Sequence, residues 1–273
     1  MSLRTGEQRA LPAPGGALPL TPRASLAALW KDPTRMQTRT GEELGAGRWV
    51  ILGIGLALGI VFWHSPLLWP LKVLVVMIHE TGHAVATLLV GGSVDRVVIS
   101  ANESGHCLSR IPLSKFGQIA VYSAGYVGSA LAASVLLLAT LRFRLRRPIL
   151  VAAAIWLVVM AVLYGGSLFT VIFCVGTALA LAAAARWLPS TGVEILNLFL
   201  AGFCALYALV DLRLDLWSSE VRARSDAALL AELTWIPALV WAAIWTVLSV
   251  ALVGTALRLS IIRRKPQRVP ARR

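Results

Sequence analysis

Long uncharged runs of apolar residues alternate with short charged segments along most of the chain. The runs that contain no Asp, Glu, Lys or Arg cover 49–71, 73–79, 116–141, 148–185, 195–210 and 233–257. A helix that crosses a bilayer needs about 20 predominantly apolar residues. The pattern therefore predicts a series of membrane-spanning helices.

Two of the apolar stretches are too long for one crossing. As a single helix, 148–185 would extend roughly 57 Å, against a hydrocarbon thickness of about 30 Å. The sequence "YGGS" at 164–167 is the predicted break. The stretch from 49 to 90 is predicted to break at "HSPLLWP", where two prolines interrupt the helix and two tryptophans suit a membrane interface.

The predicted fold is an all-α polytopic membrane protein with about seven transmembrane helices and one short β-hairpin. The hairpin follows the second helix, because "GGSVDRVVISANESGHCLSRIP" at 91–112 places β-branched residues on both sides of the turn signal "NESG". We place its strands within 93–110. The predicted helices are 48–64, 70–91, 115–141, 148–164, 167–186, 192–214 and 233–259.

The two ends of the chain are predicted to be tails. Residues 1–45 are rich in Pro, Gly, Thr and Arg, which predicts a disordered basic segment, and 263–273 form a basic C-terminal tail. The membrane domain is then 46–262. A removable signal peptide is not expected, because no short apolar core with a cleavage site follows the first basic residues, so the first apolar run is predicted to remain as a span.

Composition agrees with a lipid bilayer as the surroundings. Hydrophobic residues make up 58% of the 273 and charged residues 14%, and the mean hydropathy is +0.75. The net charge of +13 lies in the tails and between apolar runs, which indicates topology control rather than binding of nucleic acid. Three widely separated cysteines predict neither a disulfide framework nor a cysteine metal site.

One predicted helix contains ionisable residues that its apolar surroundings do not explain. In "VMIHETGHAVATLLV", 76–90, His79 and His83 are four residues apart and share a helix face, so both imidazoles can bind one metal ion. Glu80 can reach a water on that ion, accept its proton and pass the proton to a leaving amine. This spacing, H-E-x-x-H, is typical of zinc hydrolases.

Burial strengthens this interpretation over a chance pattern. An ionisable side chain at membrane depth costs roughly 2.5 to 3.5 kcal/mol or more, and here three lie together. A divalent cation would offset that cost. We therefore predict one zinc ion bound by His79 and His83.

Two histidines leave the ion short of a third protein ligand. Of the other candidates, His64 is at the Pro-rich break, His106 is in the hairpin, and Glu194 suits the positive start of its helix without a further role. Asp211 and Asp215 lie towards the end of the sixth helix, where the helix dipole does not favour acidic residues. Both aspartates therefore stay open as ligands on this reasoning alone.

The chain resembles the site-2 protease family of intramembrane zinc metalloproteases, and most closely its small bacterial branch without a PDZ domain. The resemblance covers roughly 48–259. It rests on "HETGH", the following "GGSVDRVVIS…GH" hairpin, "SAGYVGS" at 123–129, "LYALVDL" at 206–212 and "SDA" at 225–227.

The resemblance implies a function and a site. The expected substrates are membrane proteins cut in or beside a transmembrane segment, and the expected location is the bacterial inner membrane. His79 and His83 are implied as zinc ligands, Glu80 as general base, and Asp211 as the third ligand. Asp211 also follows an uncharged run directly, whereas Asp215 has Arg213 beside it and approaches the interfacial Trp217.

Two positions depart from the better-known family pattern. Where those members carry Gly-Pro-x-x-Asn, this chain reads "GYVGS" at 125–129, and the aspartate stands in "VDL" rather than Leu-Asp-Gly. The departures put catalytic competence in doubt more than metal binding. Packing of small residues between helices is an alternative explanation of "SAGYVGS".

Other functions are alternatives to proteolysis. A catalytically silent zinc-binding scaffold of the same fold predicts that Glu80→Gln preserves every biological effect. A transporter is less favoured because no internal repeat is visible, and a di-iron oxidase because four histidines cannot supply its ligands. The hairpin is either an ordinary loop or an edge that pairs with an unwound substrate, for which Pro at Val98 and Ile99 is a first test.

The basic segments give conflicting predictions of topology. With seven spans, "RFRLRR" and the C-terminal tail share a side and the N-terminal tail lies opposite, although the resemblance implies that the N-terminus and the hairpin are both cytoplasmic. Either one apolar run does not cross the membrane completely, or one basic cluster lies on the side that the positive-inside rule does not favour.

Overall fold

The computed structural model describes residues 47–217 and 225–261, and within the first range it describes side chains as far as 208. The predictions for the 1–45 and 263–273 tails lie outside these residues. Contacts divide the chain into two units, Met1–Glu42 and Glu43–Arg273. All described residues belong to the second unit.

The described residues are mostly helical, with one two-stranded antiparallel sheet. A short 3₁₀ turn, Pro66–Leu68, connects the first two helices, and a π-helical turn, Leu138–Arg142, extends the third. In chain order the elements are α1 Gly47–Val61, α2 Trp69–Leu89, β1 Ser93–Ile99, β2 Gly105–Arg110, α3 Lys115–Leu137, α4 Arg146–Tyr164, α5 Leu168–Trp187, α6 Ser190–Trp217, α7 Asp226–Thr234 and α8 Ala238–Ile261.

Six helical segments in the described ranges are long and apolar enough to cross a membrane, which confirms the polytopic helical class. They are α2 with its preceding turn, α3 with its π turn, α4, α5, the first part of α6, and α8. The 15 residues of α1 extend only about 22 Å at 1.5 Å per residue, less than the hydrocarbon thickness of about 30 Å. The first of the seven predicted spans is thus a short apolar helix.

The predicted break within 148–185 is confirmed, because α4 ends at Tyr164 and the Ser167 side chain accepts a hydrogen bond from Thr170 N at the start of α5. The last predicted span, 233–259, is different in the structure. Trp235 adopts a left-handed conformation with φ 63° and Pro237 follows it, so the chain ends α7 and begins α8 at Ala238.

The predicted hairpin is present after α2. In its register Val97 faces Cys107, Val98 faces His106 and Ile99 faces Gly105, and an irregularity lies between Val94 and Arg96. The tip is fixed to the start of α2, where Trp69 Nε1 donates to Ala101 O (2.7 Å) and Lys72 Nζ pairs with Glu103 (3.1 Å).

The outer edge of β1 is covered by the α4–α5 connection. Gly166 N donates to Val97 O (2.9 Å), and Ile99 N donates to Thr170 Oγ1 (3.0 Å). The N–H and C=O groups of Val97 and Ile99 therefore point away from β2. In an antiparallel pair the residues opposite them must also point away, so the backbone groups of Gly105 and Cys107 face the free side of β2.

The basic connection between α3 and α4 lies at one end of the helix bundle. A small apolar cluster joins the start of α1 to the ends of α3 and α8 and to the first part of α6; its buried members are Leu52, Leu137, Leu141, Leu198, Ala201 and Ala256. Beside it Arg146 pairs with buried Glu194 (3.0 Å). Because α3 and α4 each cross the bundle, the hairpin, between α2 and α3, lies at the opposite end.

Candidate metal site

The three ionisable residues of α2 that were predicted to form a site lie inside the helix bundle. His83 and Glu80 are buried and His79 is half-buried. The two imidazole ring centroids are 4.8 Å apart, as expected for residues one helical turn apart. The helix therefore presents both imidazoles to one point.

The backbone of α3 orients one of these imidazoles. His83 Nδ1 lies 2.7 Å from Val121 O, and because a carbonyl can only accept, Nδ1 carries the proton. Nε2 then keeps its lone pair for a metal. An outer hydrogen bond of this kind is the usual way in which proteins orient a metal-binding histidine.

A carboxylate from a distant part of the chain faces both histidines. Asp226 is the first residue of α7, and the Ser225 side chain caps that helix by accepting from Ala228 N. Asp226 Oδ2 lies 3.2 Å from His79 Nε2 and 3.2 Å from His83 Nε2. The ligand atoms of these three residues all lie within 4.8 Å of one another, close enough to hold one metal ion.

The side chain of Asp211, predicted as the third ligand, lies outside the described residues, as does that of Asp215. That prediction therefore stays a prediction. Tyr207, one turn before Asp211 on α6, lines the same cavity as the histidines. Asp226 is not among the ligands predicted from the sequence, although "SDA" at 225–227 contains it.

Glycines allow α2 and α3 to approach at the metal site. A Cβ at Gly82 would collide with Ala124 O, and a Cβ at Gly125 would collide with the ring nitrogens of both His79 and His83. The "SAGYVGS" segment therefore does pack through small residues, and the space that Gly125 leaves is where the histidine nitrogens point. Two imidazoles and a carboxylate form a donor set that zinc readily accepts, so the residues fit the predicted ion.

The electrostatics of Asp226 follow from its partners. Burial alone would raise the pKa of this carboxyl. When both histidines are protonated, the charge of His83 and the hydrogen bonds from the two imidazoles outweigh burial and lower the pKa of Asp226 below its ordinary value. Asp226 is therefore ionised at neutral pH, the form that binds a cation.

A cavity of about 1200 Å³ opens beside the three ligand atoms. Glu80 lines it, and its side chain packs so closely against Gly105 that a Cβ on that glycine would overlap Oε1. The second strand forms a wall of the cavity through Gly105–Ser109. His106, predicted to be exposed in the hairpin, is exposed and also lines this cavity.

Cys107 also lines the cavity but has the chemistry of an inert thiol. Burial, with a smaller contribution from the charge of Glu80, raises the pKa of Cys107 to about 12. The thiol is therefore protonated at neutral pH.

Two other residues considered from the sequence lie elsewhere. His64 is exposed next to the 3₁₀ turn before α2. Glu194 does not only serve the start of its helix, because it forms the buried ion pair with Arg146. Neither residue belongs to the group of His79, His83 and Asp226 that could hold a metal ion.

Comparison with known families agrees with the fold. A bundle of apolar helices carries two histidines, an adjacent buried glutamate and a carboxylate around one cavity, which is the arrangement of a membrane-embedded metallopeptidase. The sequence profile described as Peptidase M50B-like matches residues 51–256. The chain therefore belongs to this family of site-2 protease-like proteins, and no PDZ domain is indicated.

No curated protein and no solved structure matches the chain.

Proposed function

We propose that this protein is a zinc endopeptidase that hydrolyses peptide bonds in or beside the transmembrane segments of other membrane proteins. The observation that carries the proposal is the convergence of His79, His83 and Asp226 on one point, with Glu80 on the wall of the same cavity. Membership of a membrane-embedded peptidase family supports it.

His79, His83 and Asp226 would hold one zinc ion, in place of the Asp211 that the sequence favoured. When bound, zinc supplies polarisation of the scissile carbonyl and activation of water. Asp226 is favoured because its oxygen lies 3.2 Å from each histidine nitrogen. Its position at the start of α7 makes this short helix part of the site.

Glu80 would serve as the general base. It accepts a proton from the attacking water on one carboxylate oxygen and then delivers it to the amine of the departing peptide. The side chain is held between α2 and the backbone of Gly105, so its position is fixed before a substrate arrives. Such preorganisation reduces the cost of orienting the base during the reaction.

The free edge of β2 would bind the substrate in extended form. Amide bonds within a helix are shielded, so a transmembrane segment must unwind before it can be cut. The N–H and C=O groups of Gly105 and Cys107 point to the free side of the strand, and both residues line the cavity. An unwound peptide paired there would have its backbone hydrogen bonds satisfied beside Glu80.

A catalytically silent zinc-binding scaffold is the second candidate, and one observation favours it. Ser129 stands where better-known members carry asparagine, and its hydroxyl donates to Gly125 O of its own helix (3.1 Å). A polar group used in this way is not directed at a substrate. The scaffold would keep the metal for stability alone.

We place the protein in the bacterial inner membrane, with the lipid bilayer and membrane-protein substrates as its partners. The six apolar segments long enough to cross a bilayer support an integral membrane location.

Comparison of wild type with Glu80→Gln tests the function. Membranes from cells that express each form are analysed by quantitative profiling of new peptide termini. Wild type should generate termini in or next to transmembrane segments, and Glu80→Gln should not, although both bind zinc. If wild type and Glu80→Gln both bind zinc and give the same new termini, the catalytically silent scaffold is favoured.

A further inference from the structure

We propose that Trp245 and Tyr126 are positioning residues of the metal site, and that Trp245 couples the last membrane helix to metal affinity. The inference rests on the proposed zinc site and goes beyond it, because neither side chain is a ligand. It is carried by a continuous stack of rings from α8 through α3 to the first histidine.

The part of the stack next to the metal site contains the rings of His79, Tyr126 and Trp245. The Tyr126 ring lies edge to face with the His79 imidazole, with centroids 4.7 Å apart and planes at 89°. On α8, Trp245 stacks on Tyr126 with centroids 5.1 Å apart and planes at 20°. Both distances are within the range of favourable aromatic pairs.

The two metal-binding imidazoles are supported in different ways. His83 has the hydrogen bond from Nδ1 to Val121 O, which fixes its ring. The His79 ring contacts Asp226, His83 and Tyr126, and its Nε2 also lies beside Gly125. The Tyr126 ring therefore limits rotation of the His79 imidazole, the role that a backbone carbonyl has for His83.

The same aromatic pair also holds the helix that carries the carboxylate. Tyr126 and Trp245 form a buried cluster with Ala227 and Leu230 of α7 and Ala242 of α8. Ala227 directly follows Asp226 in the chain. One cluster thus positions His79 from one side and Asp226 from the other.

The surroundings of Trp245 separate the contribution of its ring from that of its indole N–H. Its side chain is fully buried, and its Nε1–H has no hydrogen-bond partner among the described residues. An orphaned donor in an apolar environment is costly. Phenylalanine would avoid that cost and keep the stack, so Trp245→Phe separates the ring from the indole N–H.

Zinc affinity of the purified full-length protein in detergent tests the proposal, by competition with a chromophoric chelator. Trp245→Leu and Tyr126→Leu should each weaken zinc binding about tenfold or more, the range seen when an outer support of a metal ligand is lost. Tyr126→Phe and Trp245→Phe should stay within about twofold of wild type, because they keep the rings. The Co²⁺ absorption spectrum should broaden or shift in the two Leu variants alone.

A matched control distinguishes this role from general loss of packing. Phe173→Leu removes a ring stacked on Phe169 and in edge contact with Trp69, outside the residues that line the cavity. It should lower thermal stability and leave zinc affinity unchanged. If Trp245→Leu does not fold, Trp245→Met fills more of the space without a π face and has the same expected result.

The outcomes separate the two proposals. A wild-type protein that binds no zinc overturns the metal site itself. A wild type that binds zinc, with folded Leu variants that bind it equally well and give the same Co²⁺ spectrum, overturns only the positioning role.

Discussion

His79 Nε2 and Asp226 Oδ2 lie 3.2 Å apart although 147 positions separate the two residues in the chain. The contact brings the start of α7 to the middle of α2 and gives the two histidines a carboxylate partner. It also makes Asp226 the third ligand that the geometry favours.

The choice of third ligand can be tested by metal content. Asp226→Asn should weaken zinc binding by more than the roughly 10–100-fold that loss of an outer-shell partner costs. Asp211→Asn and Asp215→Asn are the matched controls and should keep zinc. Stoichiometry is measured on purified protein by elemental analysis. Zinc lost in Asp211→Asn but kept in Asp226→Asn would restore the ligand that the sequence favoured.

The space at Gly125 should be essential to metal binding. Gly125→Ala places a methyl group where the ring nitrogens of His79 and His83 lie, so zinc affinity should fall at least about tenfold. Gly176→Ala is the control, because a Cβ there meets nothing within 4 Å. It should retain zinc and change helix stability by at most about 1 kcal/mol, in the stabilising direction. Equal zinc affinity in the two variants would contradict the described helix approach.

Substrate pairing should depend on the free edge of β2. Cys107→Pro removes an N–H that points to the free side, where proline is tolerated, so the hairpin should fold while one substrate hydrogen bond, about 1 kcal/mol, is lost. KM for a substrate identified by terminal profiling should rise about fivefold, and Cys107→Ala should leave it unchanged. An unchanged KM in the folded Pro variant would argue against strand pairing.

Prolines at Val98 and Ile99, proposed above as a first test of pairing, would disturb the structure around β1 and not only substrate binding. Ile99 N donates to Thr170, and Val98 faces His106 across the hairpin. Proline at Val98 would remove a hydrogen bond within the hairpin, and proline at Ile99 would remove the hydrogen bond that fixes β1 to α5. They therefore cannot report on substrate pairing.

Membrane topology should follow the position of the basic connection. Arg146 and the start of α1 lie at one end of the bundle and the hairpin at the other, so reporters at 45, 145 and 270 should share a side and a reporter at 102 should lie opposite. The positive-inside rule makes the shared side the cytoplasm. This places the hairpin outside, contrary to the cytoplasmic hairpin that the family resemblance implied. Reporters at 102 and 145 on the same side would contradict the crossing by α3.

The thiol of Cys107 should react slowly at neutral pH. With a pKa of about 12, its thiolate fraction grows about tenfold per pH unit between pH 8 and 11, and the alkylation rate should follow. The rate is measured with iodoacetamide in a protein whose other two cysteines are alanine. A cysteine placed at exposed Leu113, in a cysteine-free background, should level off near pH 9. A similar plateau for Cys107 would show an ordinary pKa.

The sequence by itself determined most of the elements of this protein, although not the division of its last part into α7 and α8. Runs of uncharged residues can be stable as helices only in a bilayer, so their lengths and their Gly and Pro interruptions predicted the helices, the break at 164–167 and the hairpin. The helical period likewise placed His79 and His83 on one face, because residues four apart are neighbours on any α-helix.

Tertiary structure decided what meets these histidines. No local rule connects α2 with Asp226, and an aspartate at the start of a helix looks in sequence like an ordinary favourable helix end. The contact depends on the glycine-mediated approach of α2 and α3 and on the packing of α7 against Tyr126 and Trp245. Such contacts arise from the complementary shapes of elements far apart in the chain, and periodicity within one element contains no information about them.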